Sequence, residues 1–371
     1  MIKKIIFFAN TSWFLFNFNL NLMMRLKELE YEVIAVSPED SYSQRFSDYN
    51  IQFISVKIDN KGTNPIKDSL LIARLTLLFV KLNPTYILAF TPKCNIYGAL
   101  VAGFLNIPII NNISGLGTAF ININHITNIV LYLYKISLKK SSKVFLLNND
   151  DYSYFIENNI IKTDQAELLP GTGVDIKTFS PLRRQSNNKK FIFLFVARML
   201  KDKGIIELVE ATRLLKIQYP NIECQLLGFM DAINSSAITQ EQMQLWVDEG
   251  VVNYLGVSDC VVDYLRKSDC VVLPSYREGV PRSLLEAASV GKPIITTNAV
   301  GCREVVDDGI NGFLCEPRNI LDLKSKMEKM FLLSKEERIK LGLNGREKIL
   351  NNFDEEIILA HYINTLNKLN Q

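Results

Sequence analysis

His125 and His361 are the only histidines in 371 residues. A metal centre built on several imidazoles is thereby excluded, and any catalytic triad would have to use one of these two. Six cysteines, at 94, 224, 260, 270, 302 and 315, are scattered without a Cys-x-x-Cys pair. They offer neither a zinc site nor a disulfide framework, so a reducing cytosol is the expectation. Uninterrupted apolar runs of the ~18–20 residues that a bilayer span requires are missing as well. The start, Met1-Ile-Lys-Lys-Ile-Ile-Phe-Phe-Ala9, is basic and then apolar. It gives way at once to Asn10-Thr11-Ser12, and reads as a first buried strand rather than a leader peptide. A net charge of +3 implies no general affinity for nucleic acid. Asp-x-Asp occurs nowhere, which removes the carboxylate pair that commonly holds a divalent ion on a diphosphate.

What is present is a regular alternation. The length suggests two domains, and an apolar fraction of 48% suits well-buried sheets. Strand-like runs at 5–8, 33–36, 51–56, 86–90, 108–111 and 144–147 alternate with amphipathic segments at 17–30, 69–82 and 96–106. Turn and linker chemistry at 168–181, followed by a polar stretch at 183–190, interrupts the pattern. Strand-like runs then resume at 191–196, 223–227, 251–255, 270–274 and 293–297, with a helical segment at 204–219. This predicts an α/β chain of two Rossmann-like doubly wound domains, 1–180 and 181–371, with ligands at the carboxyl ends of the strands. Two such domains facing each other imply a cleft with contacts from both. From Ile320 onward the tail reads as helical, with Gly342 and Gly345 as breakers. The last helix, about 354–370, is a candidate to return to the first domain.

Two segments carry chemistry. The first is Ser275-Tyr-Arg-Glu-Gly-Val-Pro-Arg-Ser-Leu-Leu-Glu286, which follows a buried strand and leads into a helix. Glu278 falls in the loop and Glu286 about one and a half turns inside the helix. The helix start between them, with its unpaired N–H groups and positive dipole end, is a place for a diphosphate. Taken singly, each carboxylate has an ordinary explanation as a solvated residue near a helix start. The second segment is Ala197-Arg198-Met-Leu-Lys-Asp-Lys203-Gly204, where a strand ends and a helix begins. Arg198 supplies a planar fork and Lys203 a mobile point charge, together a clamp for phosphate oxygens.

With these residues in place, the chain resembles a bacterial retaining glycosyltransferase of family 4, with the GT-B fold. The marks are Arg198 through Lys203, Tyr254-Leu-Gly256, Leu273-Pro-Ser-Tyr-Arg-Glu-Gly279, Glu286-Ala, Gly291-Lys-Pro-Ile, Gly301-Cys-Arg-Glu304 and Asn311-Gly-Phe-Leu314. The first half resembles a narrower subgroup through Asn10-Thr-Ser-Trp13, Lys61-Gly-Thr-Asn-Pro65, Thr91-Pro-Lys-Cys-Asn-Ile-Tyr-Gly98 and Ile113-Ser-Gly-Leu-Gly117. That subgroup includes N-acetylgalactosaminyl- and galactosyltransferases that extend lipid-linked oligosaccharides. The resemblance implies that Glu278 supports the donor sugar, Glu286 the nucleotide ribose, and Arg198 with Lys203 the departing diphosphate. Gly279, Val280, Pro281, Arg282 and Ser283 would form the helix-end part of the donor site, and Tyr254, Leu255 and Gly256 the loop that reads the base. It further implies a UDP-sugar as co-substrate, no cofactor and no required metal, with Arg198 and Lys203 in place of the cation.

The chain departs from the family in its first βα loop, where Asn10-Thr-Ser-Trp-Phe stands in place of a Gly-Gly. Gly115 and Gly117 are the nearest substitute, Asn17 and Lys93 are candidate acceptor or sugar contacts, and His125 reads as a helix-face residue. Residues 131–143, aromatic and aliphatic with four lysines, form a basic amphipathic stretch suited either to an anionic membrane surface or to an ordinary surface helix with its apolar side on the sheet. The expected function is transfer of a hexose or N-acetylhexosamine to a polyprenyl-diphosphate-linked saccharide for O-antigen or capsule. The expected location is cytoplasmic, peripheral on the inner face of the bacterial inner membrane. The alternatives are a UDP-sugar epimerase of similar architecture and a non-catalytic nucleotide-sugar-binding subunit.

Overall fold

The computed structural model of the protein describes residues 3–59, 64–116, 125–182, 190–230, 234 and 236–370. The chain divides into two compact units, Met1–Leu169 together with Leu359–Gln371, and Pro170–Ile358. The division falls inside the 168–181 turn segment, ahead of residue 180.

The first unit is built on seven parallel strands: β1 (Lys4–Phe8), β2 (Glu32–Ser37), β3 (Gln52–Ser55), β4 (Tyr86–Phe90), β5 (Ile109–Ile113), β6 (Lys143–Leu146) and β7 (Ala166–Leu168). Their order is β3-β2-β1-β4-β5-β6-β7. A parallel sheet is covered on both faces, so its central strands need apolar residues at every position. Ile5 to Phe8 and Tyr86 to Phe90 are accordingly all buried, with Ile6 in register with Ile34 on one side and Ile87 on the other. The helices are α1 (Ser12–Glu28), α2 (Pro65–Leu82), α3 (Pro92–Leu105), α4 (His125–Ser137) and α5 (Asn149–Glu157). Thr11 caps α1 by accepting from the Phe14 amide, and Asn64 caps α2 ahead of Pro65.

The second unit is a six-stranded parallel sheet: β8 (Phe191–Val196), β9 (Ile222–Leu227), β10 (Asn253–Tyr254), β11 (Cys270–Leu273), β12 (Ile294–Thr297) and β13 (Gly312–Cys315). The order is β10-β9-β8-β11-β12-β13. Its helices are α6 (Ile205–Gln218), α7 (Gln240–Asp248), α8 (Val261–Lys267), α9 (Arg282–Ser289), α10 (Ile320–Leu332) and α11 (Lys335–Asn352); α12 (Glu355–Leu369) follows. Both sheets are doubly wound α/β. In each, strand order reverses once, between β1 and β4 and between β8 and β11, and these are the switch points where such sheets bind ligands.

Three expectations change. The short strands β7 and β13 join the sheets without having been anticipated, and the run at 251–255 contributes only two paired residues. Gly342 and Gly345 are not breakers but lie inside α11, where a Cβ on Gly342 would collide with the Gly291 carbonyl. The helix breaks fall instead at Leu333-Ser334 and Phe353-Asp354. No helix among the described residues is long and apolar enough to cross a membrane.

Candidate active site

The loops that leave β8 and β11 at the second unit's switch point hold the candidate catalytic residues. Gly204 sits between the short turn at Lys201–Lys203 and α6, with φ +73°, and a Cβ there would strike the Pro274 carbonyl. Only glycine lets the two loops approach this closely. They are stitched by the Tyr276 amide, which donates to the Asp202 carbonyl at 3.0 Å, and by Ser275 Oγ, which donates to the same oxygen at 3.2 Å. The Glu278 amide is pinned to the Val300 carbonyl at 2.9 Å. Gly301, at φ +78°, leaves room for the Glu278 and Gly279 carbonyls.

That frame brings Lys203 and Glu278 together as an ion pair, both side chains mostly buried. Seventy-five residues separate them in sequence. Arg198 lies in the same β8–α6 loop with an exposed side chain. Behind Glu278, burial pushes the Cys302 thiol up to about 12, with the neighbouring carboxylate adding to the shift. Cys302 is therefore an inert filler, not a nucleophile.

Helix α9 begins at Arg282 with Pro281 as its cap residue, and no side chain caps its start. The Leu284 amide turns back to the Pro281 carbonyl at 3.0 Å, and the positive dipole end of the helix is what favours an anion here. Gly279, Val280 and Pro281 are buried, while Arg282 and Ser283 are half-buried. Glu286 is buried as well and accepts from Arg282 Nε at 2.9 Å. Burial raises its pKa, and Arg282 pulls it part of the way back.

A third cluster joins the ends of β8, β9 and β10. Tyr254 OH donates to the Gly228 carbonyl at 2.9 Å, and the Gly228 amide donates to the Gly256 carbonyl at 2.8 Å. Leu255 is anchored by its amide on the Leu226 carbonyl at 2.8 Å. Gly228, at φ +143°, packs against the Ala197 carbonyl so closely that a Cβ would clash. The loop at 254–256 is thereby tied to the strand end that carries Arg198. Sequence reasoning missed Gly228, whose role depends on a contact across strands. It also missed Glu207, whose buried carboxylate accepts from Tyr276 OH at 2.6 Å while Arg318 stacks on the Tyr276 ring at 4.6 Å.

The remaining candidates lie in the first unit. Asn17 donates through Nδ2 to the Trp13 carbonyl at 2.9 Å, one turn back in α1. Lys93, at the start of α3, pairs with Asp68 at 2.6 Å, and Asp68 also accepts from Tyr97 OH at 2.7 Å. Asp68 gave no sequence signal, because its partners sit on another helix. Thr91, just before α3, has φ +67°, an outlier for a β-branched residue at a strand's carboxyl end. Asp40 was likewise unforeseen: it accepts from Ser12 Oγ and from the Trp13 amide and so holds the start of α1. Gly115 adopts φ +111°. Gly117 and the side chain of His125 lie outside the described residues. His361, the second histidine, pairs with Glu167 at 3.0 Å.

Comparison with known proteins identifies the family. Residues 178–348 match the family described as "Glycosyl transferases group 1", and residues 4–149 match "Glycosyl transferase 4-like". The chain is 29% identical over 378 residues, spanning 97% of each chain, to an N,N'-diacetylbacillosaminyl-diphospho-undecaprenol alpha-1,3-N-acetylgalactosaminyltransferase of Campylobacter jejuni. It is 26% identical to the capsular polysaccharide biosynthesis glycosyltransferase CapM of Staphylococcus aureus, over 90% of this chain and 89% of that one. Among solved structures it is similar to Anabaena HepE in complex with UDP, with a TM-score of 0.79 and 18% identity, covering 99% of this chain and 100% of that one. Two parallel doubly wound sheets of the GT-B kind, matched to these families over most of its length, show that the chain belongs to the group 1, family 4-like glycosyltransferases.

Proposed function

We propose that the protein is a retaining, metal-independent hexosyltransferase. It moves a hexose or N-acetylhexosamine from a UDP-sugar to a polyprenyl-diphosphate-linked saccharide in surface polysaccharide assembly. The reading rests above all on the Lys203–Glu278 pair, held at the switch point beside an uncapped helix start. It is supported by the relatives, of which the Campylobacter jejuni enzyme acts on a diphospho-undecaprenol-linked sugar. HepE binds UDP on the same fold.

In this reading the donor's anomeric C–O bond breaks and its electron pair goes to the β-phosphate oxygen. Positive charge develops on the sugar and negative charge on the leaving UDP. Glu278 faces the first, while Arg198, Lys203 and the α9 amides face the second. The acceptor hydroxyl attacks from the face that the leaving group vacates and passes its proton to a donor phosphate oxygen. Glu286 accepts from the ribose hydroxyls, and Tyr254, Leu255 and Gly256 line the base. The first unit takes the acceptor, with Asn17, Lys93 and Gly115 among its contacts. The lipid-linked acceptor places the protein peripherally on the cytoplasmic face of the inner membrane.

The test is UDP release from a panel of UDP-sugars, with and without a lipid-linked acceptor, in the presence of excess EDTA. Activity should survive the chelator. Glu278→Ala should lower kcat by a factor of about 100 or more while changing UDP affinity much less, and Arg198→Ala should weaken both. Full transfer by Glu278→Ala would refute the site, and loss of activity in EDTA that added metal restores would refute metal independence.

A further inference from the structure

Helices α2, α3 and α4 lie side by side on one face of the first unit's sheet, as right-handed crossovers from β3 to β6 require. Their inner sides fill the core through Leu71, Leu75, Phe79 and Tyr134. Their outer sides are unusual. On α2, Ile66, Leu70, Leu77 and Val80 recur at helical spacing with Ala73 in the gap, and the four are 50 to 73% exposed. On α4, Ile129, Tyr132 and Ile136 form a second such stripe, again exposed. Soluble surfaces scatter such side chains singly and do not align them along two helices of one layer, here the two that flank α3.

Charge on the same helices is one-sided. Residues 64–143 contain eight Lys and Arg and a single acid, Asp68, against 42 basic and 39 acidic residues in the whole chain. Asp68 is 9% exposed and turned inward to Lys93 and Tyr97, and Asp59 pairs with Lys67 at 3.0 Å at the start of α2, so neither offsets the cations farther along α2 and α4. Arg74 and Lys81 flank the α2 stripe, and Lys135 and Lys139 flank that of α4. Apolar stripes edged by uncompensated cations suit the interface of an anionic bilayer, where the apolar chains enter the acyl boundary and long basic chains reach the headgroups. A second copy of this chain suits the face badly, because a twofold contact would press two like-charged surfaces together.

We propose that the outer face of α2 and α4 is the surface by which the protein lies on an anionic lipid bilayer. The occupant accords with the lipid-linked acceptor of the preceding section and rests on that reading. The surface itself is read from exposure and charge. Residues 131–143, singled out from sequence, are only its α4 edge, and the longer apolar stripe is on α2.

The experiment is co-sedimentation of the full chain with phosphatidylcholine vesicles, with and without about 30% phosphatidylglycerol, at low and high salt. Binding is expected on the anionic vesicles at low salt and should weaken as salt rises. Leu77→Ser/Val80→Ser and Ile129→Ser/Ile136→Ser should each reduce partitioning by about tenfold or more. Arg74→Gln/Lys81→Gln/Lys135→Gln/Lys139→Gln should abolish the preference for the anionic lipid. Donor hydrolysis without acceptor should be unchanged in all of them, which certifies their fold. Wild-type partitioning by the serine variants would overturn the proposal, as would indifference of the parent chain to both vesicles. It would also be overturned by a dimer in light scattering that Leu77→Ser/Val80→Ser converts to monomer. Transfer to a short-chain, water-soluble acceptor separates the two readings: transfer without vesicle binding sinks the docking surface alone. Vesicle binding without transfer sinks the function alone.

Discussion

A buried carboxylate is costly unless something repays it, and Glu286 is repaid only in part by Arg282. Because burial raises its pKa in the folded chain, the native state holds the proton more tightly than the unfolded one. The ionised form therefore opposes folding at neutral pH, and the penalty fades as pH falls below the raised value. A role at the ribose would explain why the cost is tolerated, since a carboxylate accepts more strongly from ribose hydroxyls than a neutral oxygen does. Glu286→Gln should accordingly raise Tm at pH 7 and give no advantage at acid pH. The same change should weaken UDP binding by about 10- to 100-fold at pH 7, the worth of a hydrogen bond to a charged group. Thermal unfolding across pH and titration calorimetry with UDP measure the two halves. Unaltered UDP affinity would take Glu286 out of the donor site.

Between elements, α11 packs on α9 and on the loop after it through its glycines. Gly342 lies against the Gly291 carbonyl and Gly345 against Ala288. A backbone contact of this kind has no give, so Gly342→Val should cost about 3 kcal/mol or more. Ser334→Ala, which opens the capping box at the start of the same helix, should cost only about 1 kcal/mol. Denaturant titration of both variants decides whether close approach or capping matters more to α11; similar losses would refute the packing argument. The comparison also shows where sequence reading stops. Glycine in a helical pattern signals a break when its packing partner is unknown, and the partner of Gly342 is Gly291, in the loop after α9. Strands such as Cys270–Leu273 were legible because burial on both faces demands a continuous apolar run. The edge strand Gly312–Cys315 is equally long, but it opens on a glycine and follows a polar turn residue, Asn311, so its apolar run is cut short. Glu278 and Lys203 were each legible as a residue at a strand end, while their pairing and the Lys93–Asp68 pairing were not, because tertiary contact alone creates them.

At the scale of the whole molecule the two units differ in how the chain makes them. The second is one continuous stretch, Pro170–Ile358, with its own sheet and every proposed donor residue. The first is discontinuous and needs Leu359–Gln371. There Tyr362 donates to Asn112 and sets its ring edge-on to Phe145 at 5.0 Å, with Leu366 also buried. Burying two such side chains contributes about 3–6 kcal/mol, a large share of the ~5–15 kcal/mol by which a domain is stable. The isolated segment 170–358 should therefore fold cooperatively and bind UDP, yet transfer no sugar, because the proposed acceptor residues are absent. The segment 1–169 should lack a cooperative thermal transition and bind a hydrophobic dye, and joining 359–371 to it through a flexible linker should restore the transition. Circular dichroism and UDP calorimetry on the three polypeptides test this. If 1–169 alone melted as cooperatively as the linked form, the C-terminal helix would be an accessory to the first unit and not part of its core.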